Sequence, residues 1–584
     1  MEIKRTFDIL AYQSENYNKE IALAYKQKGE WKTFSTADYI DYANNISYGL
    51  LALGVQAGDK IGIVSNNRPE WNFIDMGVSQ IKAISVPLYP TISAEDYKFI
   101  LNDAEIKYVF VGDKKILAKV QAVQADVPSL QGIYTFDEIE NEKNWLEVVA
   151  LGKKNPSVNT VLEIKNNLDE NEILTLIYTS GTTGTPKGVM LTHKNIVSNV
   201  KGCSTVLVLP STEKVLSFLP MCHIFERTVT YIYQYMGTSL YYAESIEMVA
   251  ANLQEVKPYA FSTVPRLLEK VYDKIISKGD ALTGIKRKLF FWAIDLGNEY
   301  ELEGKSPWYS LQMKLADKLI FSKWREALGG NVKLIISGSA ALQVRLSRIF
   351  TAAGIDVLEG YGLTETSPVI TVNGLRQGTR KFGTVGVPLP GIEVKIAQDG
   401  EILCKGDNVM LGYYKRPDLT AEVIKDGWFY TGDIGVIENN LLRITDRKKE
   451  MFKTSGGKYI APQFLENKFK ESIYIEQIMI VGENQKHPSA LIVPSMPIVM
   501  EWAKNNNIAY KDKNDLLKTP QLTELIRAEI QGYNREFGNW EQVKKFELVP
   551  EEWSVESGEL TPTMKLKRKI ITETYKNIIL KMYE

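Results

Sequence analysis

The chain has 584 residues, 44% of them hydrophobic and 24% charged, with a formal net charge of -1. That length exceeds what one hydrophobic core usually serves, so two or more domains are expected, and the even charge balance gives no field that would draw nucleic acid. Three widely spaced cysteines, Cys203, Cys222 and Cys404, and three scattered histidines argue against a disulfide framework and a structural zinc site.

The start, Met1 to Asp8, lacks the apolar stretch of a signal peptide. No apolar run approaches the roughly 18 residues of a membrane span, so a cytoplasmic protein is expected. Ser35-Thr-Ala-Asp38 has the spacing of a helix start, and Ile40, Ala43, Ile46, Leu50 and Leu53 follow at helical period before Gly54. Lys60 to Val64 then reads as a strand, Pro69 to Ala83 as a helix, Ile84 to Leu88 as a strand, Ser93 to Ala104 as a helix and Tyr108 to Val111 as a strand. Such alternation predicts a parallel sheet with helices on its faces. The polar stretch from Gly152 to Asn171 reads as a connection.

It leads, through the apolar run Glu172 to Ile177, into Tyr178-Thr179-Ser180-Gly181-Thr182-Thr183-Gly184-Thr185-Pro186-Lys187-Gly188. Glycines let the backbone turn tightly around an anion, successive N–H groups make a cradle for it, and hydroxyls and Lys187 add donors and charge. The ATPase and GTPase phosphate loop, G-x-x-x-x-G-K-[ST], is excluded, because Pro186 and Gly188 break it at two positions. The string resembles instead the phosphate loop of the adenylate-forming superfamily: acyl-CoA synthetases, luciferases and adenylation domains. That resemblance implies that Thr179, Ser180, Gly181, Thr182, Thr183, Gly184 and Lys187 hold the ATP phosphates, with Thr182 counted among the catalytic groups. Val189 to His193 reads as a further strand or the start of a helix.

Leu216 to Pro220 reads as the end of a strand, and Met221-Cys-His-Ile-Phe-Glu-Arg227 follows it. A lone histidine among apolar residues is ordinarily a core residue, but this segment resembles the LPxxHxFER string of long-chain acyl-CoA synthetases. There the histidine stands between the ATP site and the carboxylate end of the acyl tunnel, which makes His223 a catalytic candidate. Amino-acid-selecting relatives usually place an aspartate in this segment, and here there is Phe225-Glu226-Arg227. From Arg266 to Gly330 a mainly helical insertion is expected, in which Ile285 to Ala293 and Met313 to Arg325 mix apolar and basic residues. Segments of that kind can rest on an anionic bilayer; the plainer alternative is a hairpin packed on the core with its lysines in water.

Val332 to Leu342 reads as a strand running into a small-residue turn, and Ile355 to Glu359 as the strand before Gly360-Tyr-Gly-Leu-Thr-Glu-Thr-Ser367. A carboxylate beside a phosphate site makes sense mainly with a cation between them. GYGLTETS resembles the second superfamily signature, which implies that Gly360, Tyr361, Gly362 and Thr364 bind the nucleotide and that Glu365 holds Mg2+. The Ser337, Gly338, Ser339 turn would meet the nucleotide ring. Short strands with Gly and Asp turns then suggest a β-rich subdomain. Tyr430-Thr-Gly-Asp433 and Arg447 resemble the ribose-binding signature, and Lys449 the hinge. Lys453, Ser455, Gly456 and Gly457 resemble the segment that meets coenzyme A. In Leu560-Thr-Pro-Thr-Met-Lys-Leu-Lys-Arg-Lys569, Lys565 matches the catalytic lysine, with Lys567 and Arg568 close enough to compete.

The expected fold is α/β: a large N-terminal domain, 1–446, of parallel α/β subdomains plus a β-rich subdomain, and a small mobile α+β C-terminal domain, 447–584. The implied activity is ATP-dependent ligation of a long-chain fatty acid to coenzyme A. Its rivals are a fatty acyl-AMP ligase serving a carrier protein, a membrane-peripheral fatty-acid-binding protein with a vestigial nucleotide site, and a phosphotransferase. Peripheral membrane contact is compatible with the first of these readings.

Overall fold

The computed structural model describes residues 2–180, 186–561 and 564–584, and only the backbone of Ser180. Ser35 accepts from the Asp38 backbone N–H at 3.0 Å while the Asp38 carboxylate accepts from the Ser35 N–H at 2.8 Å, and the helix Thr36–Ala52 runs from this cap. Pro69, which needs no N–H partner at a first turn, opens the helix Pro69–Gln80.

Those helices cover a seven-stranded sheet in the order Gly412–Tyr413, Pro186–Thr192, Ile173–Ser180, Ile84–Pro87, Lys60–Val64, Ile106–Val111 and Gly132–Thr135. From Ile173–Ser180 to Gly132–Thr135 all neighbours are parallel, as the alternation predicts. A nine-stranded sheet stands beside it, with Asp356–Gly362, Leu334–Ser337, Ala260–Thr263, Lys214–Ser217 and Ser239–Tyr242 as successive parallel strands. One apolar core runs through both. Glu393–Ile396, Glu401–Lys405, Trp428–Glu438 and Leu441–Arg447 belong to a smaller five-stranded sheet. A three-stranded sheet of Ile475–Val481, Ser489–Pro494 and Lys545–Leu548 has cores of its own.

Adjacent residues on the helix Ile224–Tyr235 tie the two large sheets together. The buried Arg227 guanidinium pairs with Asp75 at 2.5 Å and donates to Thr175 at 2.8 Å and Ser85 at 2.9 Å, on the side of the seven-stranded sheet. Buried Glu226 accepts from Ser217 and Ser262 of the nine-stranded sheet, at 2.5 Å each. Burial drives this carboxyl up to about 7, against the two hydroxyls.

The C-terminal portion is seated on the rest by charge. Arg266 pairs with Glu476, and Glu269 lies 3.2 Å from Arg266 and 3.9 Å from Lys470.

Some details differ from the sequence reading. The stretch 152–171 is not merely a connection: it holds the helix Val158–Asn167, whose apolar positions Val158, Val161 and Leu162 share a face of which Val161 alone is buried. The strand expected through Pro220 ends at Ser217, and the one expected from Val332 begins at Leu334. After Gly188 the chain is strand and helix in turn, since Thr192 caps His193–Ser204. No described helix is long and apolar enough to cross a membrane.

Candidate active site

The two large sheets, the five-stranded sheet and the C-terminal portion converge on a cavity of about 2480 Å3. Its polar part begins at the hairpin of Ile173–Ser180 and Pro186–Thr192, where Thr179 pairs with Lys187 and Ser180 with Pro186. Of the expected phosphate-holding groups, Gly181, Thr182, Thr183, Gly184 and the Ser180 side chain lie outside the described residues. Lys187 is described: its ammonium sits 4.4 Å over the Tyr413 ring. Burial lowers its pKa, with Glu365 opposing and Lys449 adding to the shift. The Tyr413 hydroxyl in turn donates to Glu365 Oε1 at 2.8 Å. Lysine, aromatic ring and carboxylate thus form one chain across the cavity wall. Tyr413 was missed in the sequence because its position depends on strand Gly412–Tyr413 pairing with Pro186–Thr192, a contact between residues more than two hundred apart.

Gly360, Tyr361 and Gly362 end the strand Asp356–Gly362, and Thr364 and Glu365 stand in the short turn after it. Gly362 is required sterically, because a Cβ there would meet the Pro368 carbonyl oxygen at 1.7 Å. The Tyr361 hydroxyl donates to Asp433 Oδ2 at 2.8 Å, and Arg447 lies 3.7 Å from the same carboxylate, opposite it in the strand pair. Burial raises the Asp433 pKa, while Arg447 and the Tyr361 hydroxyl pull it back. The Ser337, Gly338 and Ser339 turn lies alongside. Ser337 is buried, with no partner for its hydroxyl among the described residues, and a Cβ on Gly338 would press the Phe225 ring at 3.1 Å. Glu359, also missed, pairs in register with Ser337 and lines the cavity, and burial pushes its carboxyl up to about 7.

His223 caps the helix Ile224–Tyr235, with Nδ1 accepting from the Phe225 N–H at 3.2 Å. Burial and the Lys565 ammonium hold its pKa down to about 4, so the ring is neutral near pH 7. The wall also has an apolar part: Phe225, Val229 and Ile232 share one face of that helix and line the cavity together with Cys203, Leu207 and Ile336.

Lys565 enters from the C-terminal side on a bridge between Leu560 and Leu566, its N–H donating to Thr561 Oγ1 at 3.0 Å. Burial and Arg447 lower its pKa to about 8, with Asp433, Glu450 and Glu365 opposing. Arg568 is otherwise engaged, bound by Glu450 at 3.1 Å and Glu466 at 2.5 Å. Glu450 also lies 3.8 Å from Arg447. Lys449 lines the same cavity. By contrast Lys453, Ser455, Gly456 and Gly457 are not on the cavity wall. They form the exposed turn between Phe452–Lys453 and Tyr459–Ile460, with Gly457 at φ 76°.

Among the described residues no cluster of metal-ligating side chains is large enough to hold a cation unaided. Glu365 beside Lys187 suits a magnesium ion completed by phosphate oxygens and water, which is how that ion is usually bound.

Residues 10–414 match the family described as AMP-binding enzyme, and residues 450–584 match the AMP-binding enzyme C-terminal domain. The chain is 33% identical to the long-chain-fatty-acid–CoA ligase FadD15 of Mycobacterium bovis over 576 residues, 95% of this chain and 93% of that one. It is 32% identical to the peroxisomal long chain acyl-CoA synthetase 7 of Arabidopsis thaliana, covering 100% of this chain and 87% of the relative. In architecture it is similar to the A domain of carboxylic acid reductase from Segniliparus rugosus, solved with AMP and a co-purified carboxylic acid. The TM-score is 0.76 at 20% identity, over 99% of this chain and 94% of that one, a likeness of fold.

Proposed function

Since this chain belongs to the AMP-binding enzyme family and is similar over its length to long-chain fatty acid ligases, we infer that the cavity activates a long-chain fatty acid with ATP and passes the acyl group to coenzyme A. The activity follows from similarity along the whole chain; the roles of individual residues are our reading of the geometry. The observation that carries them is the convergence of Lys565, Arg447, Asp433, Tyr361, Glu365 and Lys187 on one cavity that continues into an apolar recess.

In that reading the fatty acid tail lies against Phe225, Val229 and Ile232 and its carboxylate reaches past His223. A carboxylate oxygen attacks the α-phosphorus of ATP, the bond to the bridging oxygen breaks, and pyrophosphate departs. Two anions must approach, so the protein's work is placed charge and N–H donors. Lys565 would lie between carboxylate and α-phosphate; Lys187 and the 179–184 loop would hold the departing phosphates; Asp433 and Arg447 would hold the ribose, and Tyr361 the adenine. Glu365 would hold Mg2+, which when bound neutralises developing phosphate charge. Neutral His223 adds no charge where the carboxylate passes and can donate through Nε2.

In the second step the thiol sulfur of coenzyme A attacks the acyl carbon, the mixed-anhydride C–O bond breaks, AMP leaves and the thiol proton passes to solvent. Lys565 has no use there. We divide the chain at 446/447 and assign Lys449 as the pivot on which the C-terminal part turns, bringing Lys453, Ser455, Gly456 and Gly457 to the thiol path. Glu365, which accepts from the Tyr413 hydroxyl, would be the residue to hold the cation, and the ion would supply charge neutralisation at the phosphates.

The test is product analysis with ATP, magnesium and palmitate, with and without coenzyme A. Acyl-CoA and AMP from the wild type, and neither from Lys565→Ala, are expected. Pyrophosphate release with no acyl-CoA would reassign the acceptor to a carrier-protein thiol, and full activity in Lys565→Ala would overturn the lysine's role.

A further inference from the structure

Lys187 and Glu365 would both serve the triphosphate, one directly and one through magnesium, yet they stand on different sheets. Lys187 lies on Pro186–Thr192 of the seven-stranded sheet, and Glu365 in the turn after Asp356–Gly362 of the nine-stranded one. Neither sheet alone fixes the distance between the two charges. One segment, 407–414, is fastened to both. On the side of the turn, the Met410 N–H donates to the Glu365 carbonyl at 2.9 Å, and buried Asn408 donates through Nδ2 to the Thr366 carbonyl at 3.3 Å. On the side of the phosphate hairpin, the Leu411 N–H donates to the Met190 carbonyl at 3.0 Å and the Tyr414 N–H to that of Gly188, next to Lys187, at 2.7 Å.

Tyr413 is the side chain by which this strap reaches both charges. It is 4% exposed and lines the cavity, and its own N–H is tied to Thr420 Oγ1 at 2.9 Å. Any buried carbonyl would satisfy a phenol hydroxyl. Here the acceptor is Glu365 Oε1, at 2.8 Å, and the face of the same ring carries the Lys187 ammonium at 4.4 Å. The other carboxylate oxygen, Oε2, accepts no hydrogen bond from a described residue, so one oxygen is oriented and one stays open.

We propose that Tyr413 is a positioning residue for the ATP half-reaction: its hydroxyl orients the Glu365 carboxylate that would hold magnesium, and its ring holds the Lys187 ammonium where the departing phosphates lie. One side chain thereby sets the spacing of two charges before the nucleotide arrives, which lowers the ordering cost of binding. This rests on the nucleotide-binding part of the ligase reading.

The test is calorimetric titration of the full-length protein with ATP, in magnesium and in EDTA, with neither acid nor coenzyme A present. Tyr413→Phe keeps the ring and loses the hydroxyl, so it binds ATP ~10-fold more weakly than wild type in magnesium and as wild type does in EDTA. Tyr413→Leu loses the ring too and weakens ATP a further ~3-fold, in both media. In a Glu365→Gln background, adding Tyr413→Phe changes the affinity in magnesium less than ~2-fold, because both act on one ion. ATP–pyrophosphate exchange by Tyr413→Phe needs more magnesium for half-saturation, with KM for the acid unchanged. A tyrosine that merely packs would weaken ATP equally in both media and add its effect to that of Glu365→Gln. Either of those results, a Tyr413→Phe that matches wild type in magnesium, or a wild type that binds ATP no tighter in magnesium than in EDTA, overturns the proposal. The expected titrations from a wild type that forms no acyl-CoA would support Tyr413's role and refute the ligase reading alone.

Discussion

Replacing Lys565 with alanine should disable adenylation and stabilise the empty protein at pH 7. The lysine ammonium, ordinarily 10.5, is held at about 8 chiefly by burial, with the Arg447 guanidinium adding to it. At about 1.4 kcal/mol per decade, keeping that charge in the folded protein costs about 3 kcal/mol. The side chain is only partly buried, and alanine also forfeits its packing, so a net gain of about 1–2 kcal/mol is expected. The sign follows from the depressed pKa. Below pH 8 the lysine is charged in folded and unfolded chains and the whole cost is felt. As pH rises from 8 towards 10.5 the folded protein sheds the proton first, and the difference between wild type and variant closes. Thermal unfolding of ligand-free wild type and Lys565→Ala across this range reads the stability, and ATP–pyrophosphate exchange reads the chemistry, whose wild-type kcat/KM, which reports the free enzyme, should fall through pH 8 as the ammonium is lost. A variant less stable than wild type at pH 7, or an alkaline limb near 10, would refute the reasoning.

Tyr361→Phe leaves buried Asp433 without its 2.8 Å hydroxyl donor; a loss of about 1–2 kcal/mol should raise the KM for ATP roughly tenfold with little change in KM for the acid, by steady-state kinetics. Gly362→Ala drives a Cβ onto the Pro368 carbonyl at 1.7 Å and should cost on the order of 3 kcal/mol or more, seen as a lowered Tm and loss of both half-reactions. With the His223 pKa held to about 4, this ring should contribute no acid limb to ATP–pyrophosphate exchange between pH 5 and 7 (~ within the neutral range of a depressed histidine), and His223→Asn, which can still cap the helix, should leave the pH profile's shape unchanged. Glu476→Gln loosens the Arg266 contact that seats the C-terminal portion; pyrophosphate exchange should fall several-fold while thioester formation from supplied acyl-adenylate does not, in single-turnover assays.

Much of this architecture is written in local signals. The Ser35 cap, Pro69, and strands and helices alternating from Lys60 to Val111 are each decided within a few residues, so the sequence carries them. The helix Val158–Asn167 is weakly encoded, because it buries one valine and leaves Val158 and Leu162 exposed within a polar stretch. At the site, residue types were legible as motifs: Asp433 and Arg447 face each other across a strand pair, and Tyr361 reaches the same carboxylate. What local spacing does not contain is the third dimension. Tyr413 between Lys187 and Glu365, Glu450 between Arg447 and Arg568, and the choice of Lys565 over Arg568 all depend on segments distant in sequence meeting. Arg568 is as near in sequence as a rival needs to be, but Glu450 and Glu466 hold its guanidinium.

The adjacent Glu226 and Arg227 act like a rivet through two plates. One head is bedded in the serines of the nine-stranded sheet and the other in Asp75, Ser85 and Thr175 beside the seven-stranded one. Removing one partner of a buried pair of this kind costs about 3–5 kcal/mol, so neither sheet can loosen without straining the other. The helix that carries the rivet begins at His223 and presents Phe225, Val229 and Ile232 to the cavity. The wall against which an acyl chain would lie is therefore tied to both sheets, so selection among acids would rest on the depth and contour of a rigid mould, with the moving parts reserved for the phosphate and thiol ends.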